Sequence, residues 1–229
     1  MTYKADLNDT THYCLANIDV PAENAEKFNE QLAKVKHIFR ENEWLLRLNL
    51  QAEAARPSEL QGRRALSRFL HLWAIPNFDS LISVMFAAAD SDEYVALEQL
   101  VEREKQNLGL GLPYDPMKMN ADDLPPKSEC YLLERLQMVR SPELQNKFHI
   151  SMNTAKARMK KHGWNLNCAM NYSTGTISRY AHLWGMPLED REEGLSAYLD
   201  PETEWAKEFT TAIPSWERSW WFPVARNGS

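Results

Sequence analysis

The sequence predicts an α+β fold built from two tandem ferredoxin-like halves, each with the order β-α-β-β-α-β. The first observation is an internal repeat, because Ser67-Arg-Phe-Leu-His-Leu-Trp-Ala-Ile-Pro recurs 111 residues later as Ser178-Arg-Tyr-Ala-His-Leu-Trp-Gly-Met-Pro. The second is a pair of apolar helical stripes that keep a constant separation of 120 residues. The third is that each half offers one four-stranded sheet with helices on one side only. Two such sheets in one chain can close face to face into a barrel.

The first half opens with a strand and a long helix. Residues His12 to Val20 read as a strand, and Glu23 to Glu43 read as a helix after Pro21. Apolar residues in the helix recur at spacings of 4, 3 and 4, which is typical of one helical face packed on a sheet. The members of this stripe are Phe28, Leu32, Val35 and Phe39.

The second half repeats the design. Cys130 to Val139 reads as a strand, and Ser141-Pro142 reads as the N-cap and first residue of a helix. The corresponding stripe consists of Phe148, Met152, Ala155 and Met159.

A second strand follows each helix and alternates between apolar and polar residues. The segments are Trp44 to Gln51 and Trp164 to Asn171. Strict alternation places Trp44, Leu46, Leu48 and Leu50 against the helices. The same rule sends the polar set into the barrel, namely Arg47, Asn49, Gln51, Asn165, Asn167 and Asn171.

The repeated box forms the third strand of each half. Leu70 and Leu72 make its plain apolar face, which we expect to lie against the helices. The other face would then line the barrel with aromatic walls and a few polar groups, as in a ligand pocket. Its members are Phe69, His71, Trp73, Tyr180, His182 and Trp184.

Further helices complete each half. They are predicted at Phe78 to Ala88, Asp92 to Gln106, Leu188 to Leu199 and Pro201 to Ala212. A short final strand precedes Pro113 in the first half and Pro223 in the second. The domain prediction is therefore a first half at 1–113, a linker at 114–128 and a second half at 129–229. The loop from Ala54 to Arg63 is nine residues longer than its counterpart and is the clearest asymmetry between the halves.

Composition and charge exclude several classes of function. The formal net charge of −6 argues against nucleic acid as a partner. Three cysteines without CxxC spacing favour neither a disulfide framework nor a metal site. Eight glycines without a phosphate-binding loop argue against a nucleotide. No targeting segment or membrane-length apolar run is evident, so we expect a cytoplasmic protein without membrane contact.

The repeated box resembles that of a known family. Arg179-Tyr-Ala-His182-Leu-Trp184, with the later Trp205-Ala-Lys-Glu-Phe209, is similar to the NIPSNAP family of the dimeric α+β barrel superfamily. Tyr131-Leu-Leu-Glu-Arg-Leu also resembles the start of that family's first strand, with one residue inserted. The likeness covers both halves, and the first half departs from it at His12-Tyr-Cys-Leu and Ala74-Ile-Pro76.

The resemblance implies a small-molecule enzyme that needs no metal or nucleotide. Such enzymes include cofactor-free oxygenases, isomerases and cyclases that act on aromatic or conjugated metabolites, as in secondary metabolism. His71 or His182 would be the base, at a pKa near neutrality. Arg47, Asn49, Asn165 and Asn167 would hold a developing oxyanion. The residues expected to stack on a flat substrate are Phe69, Trp73, Tyr131, Tyr180 and Trp184.

Other interpretations stay open at this point. The same superfamily includes haem proteins, so one of the two histidines could be an axial ligand. It also includes non-catalytic binding modules, in which both histidines are satisfied core residues. A small-molecule substrate is the expected partner. A homodimer through the Trp216, Trp220 and Trp221 region is also left open.

Overall fold

The computed structural model describes residues 10–53, 64–117, 127–174 and 179–224. The two halves repeat the same order of elements, as predicted. The first half contains β1 (His12–Pro21), α1 (Ala25–Glu41), β2 (Leu45–Ala52), β3 (Leu66–Ile75), α2 (Ser80–Ala89), α3 (Asp92–Glu98) and β4 (Arg103–Gly111). The second half contains β5 (Cys130–Gln137), α4 (Pro142–Lys160), β6 (Asn165–Tyr172), β7 (Arg179–Met186), α5 (Arg191–Tyr198), α6 (Glu204–Ala212) and β8 (Ser215–Pro223).

The strand order is the same in both halves. It is β4-β1-β3-β2 in the first half and β8-β5-β7-β6 in the second, and the strands pair antiparallel. The central strand β3 or β7 pairs with the first and second strands of its own half. The predicted mixed α+β class with ferredoxin-like halves is therefore confirmed.

The described residues fall into two compact units. One unit holds residues 11–108 and 222–224, and the other holds 109–221 together with Thr10. The end of β4 thus belongs with the second half, where Gly109 to Gly111 pair with β6. The proposed boundaries at 113/114 and 128/129 stay a prediction.

The long helices begin and end where local chemistry dictates. Ser141 caps α4 by accepting a hydrogen bond from the Leu144 N–H, and Pro142 occupies the first turn, as predicted. Glu43 and Gly163 follow the two helices at equivalent positions and both have positive φ, 61° and 73°. A left-handed residue there lets the chain turn directly into β2 or β6.

One predicted helix is wrong. The segment Asp92 to Gln106 was expected to be helical, but α3 ends at Glu98 and β4 begins at Arg103. Residues 103–106, Arg-Glu-Lys-Gln, are good helix formers, so local propensity favours the wrong state. Antiparallel pairing beside β1 outweighs that propensity.

Two further predictions can be placed here. The long loop from Ala54 to Arg63 lies outside the described residues. Within the described ranges, no helix combines the length and the apolar character needed to cross a membrane.

Candidate functional site

The repeated His-Trp faces lie under the helices, which corrects the prediction that they line the barrel. In the first half, Phe28 of α1 stacks on Phe69 and on His71, with ring centroids 4.9 and 5.9 Å apart. Phe39 of the same helix stacks on Trp73 at 4.5 Å. These contacts place the box residues in the core between helix and sheet.

The second half has the same arrangement. Phe148 of α4 stacks on His182 at 6.1 Å with an interplanar angle of 14°, close to the 19° of its counterpart pair. Tyr180 lies against Phe148, and Trp184 lies against Tyr198 of α5. Leu70, Leu72, Ala181 and Leu183 therefore occupy the side of the sheets that the helices do not cover.

A β-bulge in each second strand explains why the alternation rule failed. The register between β2 and β3 shifts between Leu46 and Leu48, which leaves Arg47 as the extra residue. The same shift occurs at Asn167 between β6 and β7. An extra residue reverses the faces of every residue beyond it. Asn49 consequently pairs with His71 and reaches toward the helices, where its amide donates to Asn29 Oδ1 at 3.4 Å.

The predicted polar residues do not gather on one face. Arg47 and Asn167 are the buried bulge residues, while Asn49 lies on the helix side. Tyr131 pairs with Gly185 on the opposite side and accepts a hydrogen bond from the Ser128 N–H. Asn165 also pairs with Gly185 and donates to the Gly163 carbonyl at 3.4 Å. The structure therefore does not bring the residues predicted to hold an oxyanion together beside His71 and His182.

In the second half the His-Trp box belongs to a buried polar network centred on Glu134. One carboxylate oxygen of Glu134 accepts from Trp184 Nε1 at 2.9 Å and from the Tyr198 hydroxyl at 3.1 Å. His182 Nδ1 lies 3.7 Å from the same oxygen. Glu134 and His182 are both fully buried. Buried polar groups require such partners, so this network holds the second half in one arrangement.

A strap after β4 fills the remaining space beside His182. The Tyr114 hydroxyl lies 2.8 Å from His182 Nε2. The Tyr114 carbonyl accepts from Lys156 Nζ at 2.7 Å, and Asp115 accepts from the Ala169 N–H at 2.8 Å. Neighbouring His149 is engaged too, because its Nε2 lies 3.1 Å from the Tyr180 hydroxyl. Both ring nitrogens of His182 thus face side chains of the protein.

The first half instead contains a cavity of about 50 Å³ at its His-Trp box. It lies between β1, β3, β4 and the helices α1 and α3. Its walls are mostly apolar and aromatic, and His71, Glu98, Glu104 and Gln106 supply the polar groups. His71 is 2% exposed, and its Nε2 has no hydrogen-bond partner among the described residues.

The strand register shows why there is space at the first box. Ala16 pairs with His71 and Cys14 pairs with Trp73. At the matching positions, Glu134 pairs with His182 and Leu132 pairs with Trp184. Two small side chains thus stand where the second half has two larger ones, and space remains beneath the first box.

Burial sets the protonation of the cavity groups. It lowers the pKa of His71 to about 3, and the nearby charge of Lys36 lowers it further. Burial, with the charge of Glu104, raises the pKa of Cys14 to about 12. His71 is therefore a neutral ring and Cys14 a neutral thiol at physiological pH. The expected near-neutral base is not found at His71.

Sequence reasoning missed several residues that shape these sites. Glu134 falls within the segment from Tyr131 that resembles the family's first strand, but the resemblance gives it no role in the site. Tyr114 and Tyr198 have no repeated counterpart in the sequence. Ala16 and Glu104 carry no motif either. Comparing the first strands of the two halves position by position could have revealed the exchange of Ala16 for Glu134.

Similar solved structures define the fold. The chain resembles a proposed monooxygenase from Fusobacterium nucleatum with a TM-score of 0.57 and 8% identity, covering 95% of this chain and 94% of that one. It also resembles a haem-binding protein from Thermus thermophilus (TM-score 0.56, 10% identity, 94% and 92% covered). A third is a chlorite dismutase variant from Candidatus Nitrospira defluvii (TM-score 0.55, 9% identity, 93% and 91% covered).

These neighbours are dimeric α+β barrel proteins, so the predicted fold class is confirmed. At such low identity the likeness concerns the fold alone. No family model and no curated protein matches the sequence.

The residues described at the two repeated boxes do not fit a haem. The first-half cavity has about 50 Å³, whereas pockets for drug-sized ligands have about 300–1,000 Å³. His182 and His149 have their Nε2 atoms engaged by tyrosine hydroxyls. Among the described residues, no group of three or more His, Cys, Asp or Glu side chains is arranged to hold a metal ion.

Proposed function

We propose that this protein binds a small molecule in the cavity of its first half. The observation that carries the proposal is the cavity itself, lined by a fully buried histidine whose Nε2 has no partner among the described residues. A buried polar atom without a partner costs about 1–3 kcal/mol, which a ligand hydrogen bond would offset. Haem is not proposed, since the cavity residues do not fit it.

The divergence of the two halves supports this proposal. The second box is closed by Glu134 and Tyr114, and its Trp184 and Tyr198 donate to Glu134. The first box keeps the same stack of His71 on Phe28 but has Ala16 in place of the glutamate. A duplicated core that served only for packing would be filled by side chains. The space retained in the first half therefore favours a binding role for that half.

We propose binding rather than turnover. A general base works best with a pKa near the working pH, and burial places that of His71 at about 3. Neutral His71 can instead act as a hydrogen-bonding group. Cofactor-free catalysis and membership of the NIPSNAP family, which the repeated box resembles, stay predictions of that resemblance.

The test is a fragment titration followed by NMR of the tryptophan indole N–H groups. A cavity of this size accommodates molecules of about three to five non-hydrogen atoms. Wild-type protein should show saturable shifts of the Trp44 and Trp73 indoles, which line the cavity. Ala16→Leu, which fills the cavity, should abolish them.

The control is Ala87→Leu on the exposed surface of α2, because it adds the same volume outside the cavity. It should leave the shifts intact. Fragments that shift neither indole in the wild type, or that shift them equally in Ala16→Leu, would overturn the proposal.

A further inference from the structure

The charged side chains that line the first-half cavity have one sign, whereas Lys36 lies near His71 without lining the cavity. Glu98 and Glu104 are its only charged lining residues within the described chain, and neither lysine nor arginine lines it. Glu98 and Glu104 are exposed as whole residues, although surrounding atoms partly desolvate the Glu104 carboxyl, so both stand where the cavity meets solvent. A ligand entering here passes two negative charges, which attract a cation and repel an anion.

The wall behind these carboxylates is aromatic. Phe39 lies between Trp73 and Tyr94, with centroid distances of 4.5 and 6.1 Å. Trp44 lies 6.1 Å from both Phe39 and Trp73. Faces of such rings carry partial negative charge and attract cations within about 6 Å, with tryptophan the strongest.

No positive group inside the cavity competes for the carboxylates. Burial keeps His71 neutral by lowering its pKa to about 3, and Cys14 is an uncharged thiol. Burial raises the pKa of Tyr94, so its hydroxyl is neutral as well. Burial of its carboxyl, followed by the charge of Glu98, raises the pKa of Glu104. A cation beside the two carboxylates would relieve that repulsion.

From this arrangement we infer that the ligand of the first-half cavity is a small organic ammonium ion. The inference rests on the proposed binding function and names its ligand class. The ammonium group lies against the aromatic wall with Glu98 and Glu104 as counter-charges. Its short chain occupies the space that Cys14 and Ala16 leave open, where a polar atom at its far end would hydrogen-bond to His71 Nε2.

The second half does not share this chemistry. The carboxylate at its box, Glu134, is fully buried and already receives hydrogen bonds from Trp184 and Tyr198. Trp216 is the second residue of β8 and pairs with Leu136 of β5. It stands at the position that Glu104 takes in β4 of the first half. We therefore expect one ammonium site in the chain.

Three probes of matched size and different charge test the inference: propylammonium, propan-1-ol and propionate. Dissociation constants are measured from the Trp44 and Trp73 indole shifts at fixed ionic strength. Propylammonium should bind at least about tenfold more tightly than propan-1-ol, and propionate should bind most weakly. Neutralising both carboxylates in Glu98→Gln/Glu104→Gln should reduce the cation preference to less than about threefold. The affinity for propan-1-ol should not change.

Glu102→Gln is the matched control, because Glu102 is exposed, sits beside the same strand and does not line the cavity. It should keep the full preference. A salt series on wild-type protein gives a second measurement that needs no variant. Sodium chloride should weaken the binding of propylammonium and leave that of propan-1-ol unaltered.

The outcomes separate the two proposals. If propan-1-ol or propionate binds as tightly as propylammonium, the ammonium inference is overturned and the binding function stands. If none of the three probes binds at the indoles, both are overturned. A cation preference that survives in Glu98→Gln/Glu104→Gln would also overturn the inference.

Discussion

At the residue scale, one exchange between matching positions separates the two halves. Ala16 and Glu134 stand opposite His71 and His182 in the same register, on the same side of their sheets. Alanine leaves space beneath the imidazole. Glutamate fills the corresponding space and accepts hydrogen bonds from Trp184 and Tyr198. One half is thereby open to a ligand, whereas the other is held by its own side chains.

This view predicts that Glu134 is essential for the stability of the second half. Replacing Glu134 by Ala leaves the Trp184 N–H and the Tyr198 hydroxyl buried without an acceptor. We expect the free energy of unfolding to fall by about 3–5 kcal/mol. Glu134→Gln should lose only about 1–2 kcal/mol, because its amide oxygen can still accept a hydrogen bond. Urea unfolding followed by tryptophan fluorescence measures both variants.

Glu143→Gln on α4 serves as the control, since Glu143 is exposed and its ion pair with Lys147 lies on the surface. It should change the free energy of unfolding by less than about 0.5 kcal/mol. A value for Glu134→Ala as close to wild type as this control would show that the network contributes little.

At the element scale, the two β-bulges decide which residues reach the helices. Both lie at the same point of the duplicated second strand, at Arg47 and Asn167. They reverse the apparent alternation, so Leu46 faces the helices but Leu48 does not. A bulge re-aims side chains without breaking the strand.

The bulges also mark the limit of what the sequence predicts. Helical stripes such as Phe28 and Phe39 were correctly identified because a helix repeats its face over several turns. An extra residue in a strand leaves no compositional mark, so Asn49 was assigned to the wrong side. His71 was misassigned for another reason, because both faces of β3 are buried and the plainer apolar face was expected to lie against the helices. The helix prediction for Arg103 to Gln106 was wrong for a related reason. These residues are extended only because they pair with a strand that is distant in the sequence.

Single-residue deletions in β2 test the bulge. In a regular strand every deletion flips the residues beyond it. Deleting the bulge residue Arg47 should instead preserve the faces of Leu48, Asn49 and Leu50, and the protein should unfold cooperatively with a loss of about 1–3 kcal/mol. Deleting Asn49 moves Gln51 into the buried place of Leu50. That deletion should cost at least about 3 kcal/mol more than the first.

Urea unfolding of the two deletion variants, with circular dichroism to confirm the fold, makes this comparison. The bulge assignment would be wrong if deletion of Asn49 were tolerated better than deletion of Arg47.

At the scale of the whole molecule, duplication was visible in the sequence, while the difference in packing around its two His-Trp boxes was not. The box around His71 and His182 established the order of elements in both halves. The open cavity depends on positions such as Ala16, Cys14 and Glu104, which no motif distinguishes. Proteins that share a fold likewise need not share a functional site, because a site depends on individual side chains.

Haem binding is the sharpest case of that distinction, since a haem-binding protein from Thermus thermophilus has the same fold at 10% identity. In this chain His182 Nε2 lies against the Tyr114 hydroxyl, and His71 borders a cavity of only about 50 Å³. Titration with haemin should therefore give no saturable Soret band, and wild type, His71→Ala and His182→Ala should give the same spectra. Bovine serum albumin is a positive control for haemin quality. A one-to-one Soret band that disappears in either histidine variant would contradict this prediction. It would mean that the helices can separate from the sheet to admit a porphyrin. The packing of Phe28 on His71 and of Phe148 on His182 argues against such a separation.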